Sequence, residues 1–274
     1  MAAGLREVLD GVVRVVVFGD LHRDSLAFRT LLDKTAELGL TPVLVSVGDF
    51  GLGPWDRGTE DNMLRRADDL LEQCDSWLLL TPGNHENWDT IDRALADRRD
   101  EFGFGVLGRH GRVRVSPRGH RFTVGGRRFG SLGGAVSVDR ARREPARSWW
   151  PQEVPATADV QALGDAPLDV LITHEAPTGV PLVGQLRVHS TLAAEADLVR
   201  DLLTQAVTAT RPSLLFAGHW HVRLTHDLAR PDGGTTRVEI LSEEHTAGNA
   251  IGLELDDLSV TPLPALWRRH LDLL

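Results

Sequence analysis

The sequence predicts an α/β protein built from two packed sheets with helices on their outer sides. In its first half, short β-branched runs alternate with segments whose apolar residues recur at helical spacing, the pattern of strands joined by helical crossovers. From Gly103 to Gly134, short strands instead alternate with glycine-rich turns, which predicts meandering strands of a second sheet. The 274 residues, 42% hydrophobic and 25% charged, suit a single domain over 1–274 whose core needs no disulfide or metal staple.

The elements follow in order. Val12–Phe18 is nearly continuous and β-branched, so it reads as a buried strand. Asp24–Leu38 places Leu26, Leu31, Leu32, Ala36 and Leu38 at helical spacing, and Gly39 closes the helix. Pro42–Val47 is a second strand, Glu60–Gln73 a helix, Trp77–Leu80 a third strand, and Asp89–Asp97 a further helix. Arg112–Ser116, Arg121–Val124 and Arg127–Leu132 are assigned to the second sheet. A polar, arginine-rich stretch at about 137–166, broken by Pro145, Pro151 and Pro155, reads as a long excursion over the surface. Asp169–Thr173 and Ser213–Ala217 are strands flanking the helix Ser190–Ala209. Arg223–Asp227, Thr235–Leu241, Ala250–Leu255 and Val260–Leu263 complete the set.

Composition narrows the function. Cys74 is alone, so there is neither an internal disulfide framework nor a cysteine zinc site, and any metal must use His, Asp, Glu or Asn. The net charge of −9 offers no basic footprint for extended nucleic acid. Val12–Phe18 is too short to span a bilayer, and the acidic segment before it lacks the layout of a signal peptide, so no membrane partner and a cytoplasmic location are expected.

Five polar clusters each follow an apolar strand: Gly19-Asp20-Leu21-His22, Gly48-Asp49, Gly83-Asn84-His85-Glu86, His174, and Gly218-His219-Trp220-His221. Residues two apart on an extended chain point the same way, so Asp20 and His22 can grip one ion, and His219 and His221 again share a face. Strand ends of α/β sheets are where ligands gather. Taken singly, each cluster has a plain reading: Asp20 as a cap, Gly48-Asp49 as a turn, His174 as a satisfied core histidine. Taken together, two Asp, one Asn and four His are too many for one tetrahedral zinc and suit two ions sharing a carboxylate, with Mn, Fe or Zn favoured by the mixed donors.

In this order the set resembles the calcineurin-like metallophosphoesterase superfamily, over residues 19 to 221 with all five motifs intact. The resemblance implies a four-layer αββα sandwich. It implies that Asp20, His22 and His221 hold one divalent ion, that Asn84, His174 and His219 hold the other, and that Asp49 bridges them. His85 would bind no metal and would stabilise or protonate the leaving group, with Asp89 or Glu86 as the candidates to orient it. The implied reaction is hydrolysis of a phosphodiester or phosphomonoester by in-line attack of metal-bound water, on a small molecule or nucleotide. A nuclease and a non-catalytic metal-binding scaffold are the competing readings; the acidic charge weighs against the first and the intact ligand set against the second.

Substrate contacts are expected from Arg23 beside the first ligand pair, Asn84, Arg143 in the excursion, and Trp149 in Ser148-Trp149-Trp150-Pro151, a stretch that equally suits pinning the excursion to the body. Relatives that act on phosphoproteins carry Arg before Gly-Asn-His-Glu, where this chain has Pro82, and place Asp-Arg-Gly closer to the second motif than Asp56-Arg57-Gly58 stands here. A protein phosphatase is therefore disfavoured. His110, His120, His189, His226, His245 and His270 fit no ligand motif and are expected to be structural or exposed.

Overall fold

A computed structural model describes residues 4–39, 43–53, 61–182 and 190–264. Pro42, Glu60, the Asp56-Arg57-Gly58 run, His189 and His270 lie outside them. The chain opens with helix α1 (Leu5–Gly11), then strand β1 (Arg14–Phe18), α2 (Ser25–Glu37), β2 (Val43–Ser46), α3 (Asn62–Gln73), β3 (Trp77–Leu80) and α4 (Trp88–Asp97). Short strands follow: β4 (Gly105–Leu107), β5 (Val113–Val115), β6 (His120–Val124) and β7 (Arg127–Leu132). Beyond the excursion, which holds α5 (Thr157–Leu163), come β8 (Val170–Thr173), α6 (Ser190–Thr210), β9 (Leu214–Ala217), β10 (Leu224–Ala229), β11 (Thr235–Ile240), β12 (Ala250–Glu254) and β13 (Val260–Pro262).

Two mixed sheets result. One has the order β13-β12-β1-β2-β3-β5-β4, the other β10-β11-β9-β8-β7-β6. Side chains alternate across each strand, and the apolar residues on both faces explain the layers. Val15, Val17, Val43, Val45 and Leu79 from the first sheet meet Phe129, Val170, Ile172, Leu214 and Phe216 from the second. The opposite face of the first sheet, with Val16, Phe18, Leu44, Leu78 and Leu80, is covered by α2, α3 and α4. The opposite face of the second, with Leu171, Leu215 and Val238, is covered by α5 and α6. This is the four-layer αββα sandwich that the resemblance implied. Among the described residues, no helix is long and apolar enough to cross a membrane.

One strand sits elsewhere than expected. Val113–Val115 joins the first sheet, parallel to β3, and only β6 and β7 of the glycine-rich segment enter the second. The alternating pattern of Val113, Arg114 and Val115 fixes that both valines are buried but not which sheet receives them. The chain also returns at its end to the first sheet, where β12 pairs antiparallel with β1.

The excursion spans both sides of the sandwich. Trp150 is buried in the core between the first sheet and its helices, whereas Leu163 on α5 packs against the second sheet. It therefore crosses the end of the molecule at which β1, β2, β3, β8 and β9 finish.

Candidate metal centre

All five clusters lie just past the C-terminal ends of strands β1, β2, β3, β8 and β9, and neighbouring strands in each group run parallel. Parallel pairing forces those ends to one side of each sheet, and the packing of the two sheets brings the sides together. An aromatic trio supports the first two loops from below. Phe18, Phe28 and Phe50 are fully buried, and the Phe28 and Phe50 rings meet edge-on with centroids 5.3 Å apart. Backbone bonds then tie the loops: the N–H groups of Leu21 and His22 both donate to the Asp49 carbonyl, at 3.0 and 2.9 Å.

The atoms that could hold a metal converge in overlapping groups. Asp20, His22 and His221 form one, and Asp49, His174 and His219 another, each with its donor atoms within 4.8 Å of one another. Asp49 stands between them. Its Oδ2 lies 3.6 Å from His22 Nε2, and its Oδ1 lies 3.3 Å from His174 Nε2. The Oδ1 atom of Asn84 is 3.0 Å from His174 Nε2, and its amide donates to Ser137 Oγ at 3.0 Å. His221 Nε2 is 3.2 Å from Asp20 Oδ2. Asp20, Asp49, Asn84 and His174 are all buried.

Two features of the backbone suit this density of donors. His22, Asp49, His219 and His221 all adopt positive φ, between 42° and 66°, a conformation uncommon outside glycine. At Gly83 and Gly218 an added methyl would collide with the Asp49 and Asp20 carboxylates respectively, so both glycines leave space that the carboxylate oxygens use.

The electrostatics show which charge the site favours. Burial alone would lower His22, yet hydrogen bonds to Asp49 and Glu244 push it up to about 11. Burial likewise opposes charge on His174, and the Asp49 carboxylate raises it to about 10. Burial works against an ionised Asp49, but the charges of His174 and His85 hold it well below the usual carboxylate range. Buried carboxylates are here stabilised by whatever positive charge is at hand. Protons on imidazoles serve that role, and a divalent ion would replace them, with proton release on binding. The donor chemistry, the convergence and the glycine cradles all fit two divalent cations.

His85 lies beside this centre, with Nε2 3.9 Å from Asp49 Oδ2. Its neighbour from the excursion is Arg143, whose Nη2 is within 3.0 Å of both ring nitrogens. Burial lowers the His85 pKa, and the Arg143 charge adds to that effect against the pull of Asp49. The Arg143 side chain is 7% exposed and pairs with Asp139 at 2.7 Å, while its Nη1 is buried without a hydrogen-bond partner. Glu86 has its oxygens engaged by the N–H groups of Gly51 and Gly83, and Asp89 lies in the first turn of α4. Arg23 packs against Gly51, and its charge acts on Asp61. The Trp149 indole donates to Glu153 Oε1 at 2.8 Å, and the same oxygen accepts the Ser137 N–H at 2.9 Å. That links Trp149, through Glu153 and Ser137, to Asn84.

Several contacts of this centre have no counterpart among the five motifs. Ser137 and Glu153 carry no local pattern, being single polar residues in an arginine-rich stretch. Glu175, which follows His174, directs one oxygen to 3.6 Å from His219 Nε2. Glu243 and Glu244 follow strand β11 and lie 2.8 Å from His221 Nδ1 and His22 Nδ1. Their place after a strand was the available signal.

Comparison with known proteins agrees with this architecture. The family model described as calcineurin-like phosphoesterase matches residues 13–223. A protein solved as TT1561 of Thermus thermophilus superposes with a TM-score of 0.58 at 13% identity, over 93% of this chain and 100% of that one. A 5'-nucleotidase precursor from Thermus thermophilus superposes with a TM-score of 0.51 at 12% identity, over 92% of this chain and 54% of that one. At these identities the likeness shows the fold alone. No curated protein matches the chain.

Proposed function

The chain belongs to the calcineurin-like phosphoesterase family and is a metal-dependent phosphoric ester hydrolase; on that premise we propose that it hydrolyses a small-molecule or nucleotide phosphoester, with a terminal phosphate bound best. The observation that carries this reading is the position of Asp49, with one oxygen turned to His22 and the other to His174, and with His85 and Arg143 alongside.

The roles follow from the chemistry of each group. Asp20, His22 and His221 would hold one ion and Asn84, His174 and His219 the other, with Asp49 shared. Mixed imidazole, amide and carboxylate donors favour Mn, Fe or Zn. When bound, two such ions neutralise phosphate oxygens and acidify the attacking water. Ser137 accepts from the Asn84 amide nitrogen and so turns the Asn84 oxygen toward His174. His85 donates a proton to the leaving oxygen; burial and Arg143 lower its pKa, which makes that proton easier to release.

Arg143 supplies the preference for a terminal phosphate. A buried guanidinium nitrogen without a partner costs about 1–3 kcal/mol, and a phosphate oxygen would satisfy it. A monoester offers this fork more free, more negative oxygens than a diester does. The excursion at 137–166 is on this reading part of the active site, and its anchorage in both helix-side cores supports a single domain.

The test uses chelator-stripped protein, p-nitrophenyl phosphate and bis(p-nitrophenyl) phosphate, with and without added Mn²⁺. Metal-restored cleavage with a preference for the monoester is expected. Faster cleavage of the diester would overturn the terminal-phosphate reading.

A further inference from the structure

The loop between β11 and β12 lies against the first ion's ligand group while belonging to none of the five motifs and falling outside the matched residues 13–223. Three successive side chains reach back from it. Glu243 Oε2 is 2.8 Å from His221 Nδ1, Glu244 Oε2 is 2.8 Å from His22 Nδ1, and His245 Nε2 is 2.7 Å from Asp24 Oδ2, the residue that caps α2. At the loop's far end, Asn249 Nδ2 donates to the carbonyls of Asp20 and Ser242 at 3.2 and 2.8 Å. The loop is thus fastened to the first motif at both ends.

For each of these two histidines, the Nδ1 faces a carboxylate and the Nε2 faces inward. His22 Nε2 looks to Asp49 Oδ2 at 3.6 Å, and His221 Nε2 to Asp20 Oδ2 at 3.2 Å. A carboxylate at Nδ1 keeps the ring hydrogen there, so the Nε2 lone pair is the one presented to a cation. The second group is arranged differently. His174 Nδ1 meets the Val47 carbonyl at 2.9 Å, and His219 Nε2 lies 3.6 Å from a Glu175 oxygen, beyond hydrogen-bond range. The other Glu175 oxygen is held by Trp220 Nε1 and the Ala176 N–H, at 2.6 and 2.7 Å. Among the described residues, only the first group has a carboxylate hydrogen-bonded to each of its histidines, and these carboxylates are partly exposed, at 37% and 20%.

We propose that Glu243 and Glu244 are positioning residues that fix the orientation and ring hydrogen of His221 and His22 and thereby raise the affinity of the first ion selectively. This rests on the ligand assignment given above. Outer carboxylates of this kind are worth about 10–100-fold in metal affinity.

The experiment titrates Mn²⁺ into the chelator-stripped full chain and follows binding by calorimetry and bound-ion counting. The native chain is expected to bind two ions and His22→Ala to lose one class. Glu243→Gln and Glu244→Gln should weaken that same class by about 10–100-fold and leave the other unchanged. Alanine at either position should weaken it at least as much, since glutamine keeps an acceptor oxygen. The metal-free glutamine variants should keep native far-UV circular dichroism and a single cooperative melt, so that weaker binding is not a lost fold, whereas a merely structural role would weaken both classes together. Native affinity in both classes in either glutamine variant, or an equal loss from both classes, overturns the proposal while His22→Ala still loses one ion. If His22→Ala keeps both ions, the ligand assignment itself fails and the proposal falls with it.

Discussion

Replacing Arg143 with methionine separates binding of a phosphate from support of the fold. Methionine retains much of the apolar stem and removes the charge. In the native protein the guanidinium has two polar neighbours, Asp139 at 2.7 Å and His85 within 3.0 Å, and its Nη1 is buried without a hydrogen-bond partner. The Asp139 carboxylate is 45% exposed, so its loss costs at most about 1 kcal/mol. Removal of the orphaned Nη1 offsets part of that cost. The effect on catalysis is larger, because a charge-assisted hydrogen bond to phosphate contributes about 1.5–3 kcal/mol. That corresponds to roughly 10–150-fold in kcat/KM.

The assay compares kcat/KM for p-nitrophenyl phosphate and its diester in Arg143→Met, with the melting temperature measured alongside. The monoester should suffer the greater loss, and Arg143→Lys should recover part of it by restoring a charge without the fork. The pH profile should move as well. Arg143 helps lower the His85 pKa, so its removal raises that pKa. His85 acts here as an acid, so activity fails as pH rises through its pKa, and the alkaline limb of the variant should move to higher pH. Activity within about threefold of native on the monoester, well short of the loss a charge-assisted bond implies, or equal losses on both esters, would refute the reasoning.

The remaining variants test other groups. His85→Ala should keep both ions and lose about 10²–10⁴-fold in turnover, measured at saturating Mn²⁺; unchanged turnover would remove His85 from proton transfer. Asp49→Ala should lose activity together with metal occupancy, counted by atomic absorption, and retention of two ions would exclude a bridging role. Glu153 is pushed up to about 7 by burial, so the folded chain binds its proton more tightly than the unfolded chain does. Stability should therefore fall as pH rises from about 4.5 through 7, and Glu153→Gln should flatten that decline by up to a few kcal/mol in urea melts at several pH values.

The strands that deliver ligands were legible because burial on both faces leaves an unbroken apolar run, as in Val43–Ser46 and Val170–Thr173, and the first polar residues beyond it must lie at a sheet end. Helices were legible through their apolar spacing to within a residue or two of their starts, which the caps decide: Asp24 accepts from Leu26 and Ala27, and Asn87 from Thr90. Sheet membership was less legible. Val113 and Val115 are buried in the first sheet, but their alternation would suit either sheet, and parallel pairing with β3 is decided by the long-range path of the chain. The supporting contacts of the centre were hidden for a similar reason. Ser137 lies 53 residues from Asn84, and Glu244 lies 222 residues from His22, so no local period joins either pair.

The strain at the centre has a consequence for stability. Four of the seven assigned ligands sit at positive φ, where a non-glycine residue costs on the order of 1–3 kcal/mol. Asp20 and Asp49 are buried as well, and burial of a carboxylate is unfavourable without a compensating charge. These costs fall on the ligand-bearing loops while the strands beneath them are fully packed. Ions that bind the folded state alone stabilise it by mass action, amounting to about 2.7 kcal/mol at a hundredfold excess over Kd. Metal should thus raise the melting temperature chiefly by securing the loops at the strand ends. In hydrogen exchange, protection gained with Mn²⁺ should concentrate at Leu21, His22, His85 and His219, whose amides donate to Asp49 or Asp20, and be small in the strand centres. Uniform protection across both sheets would show instead that the ions stabilise the fold as a whole and that the strained loops carry no special share.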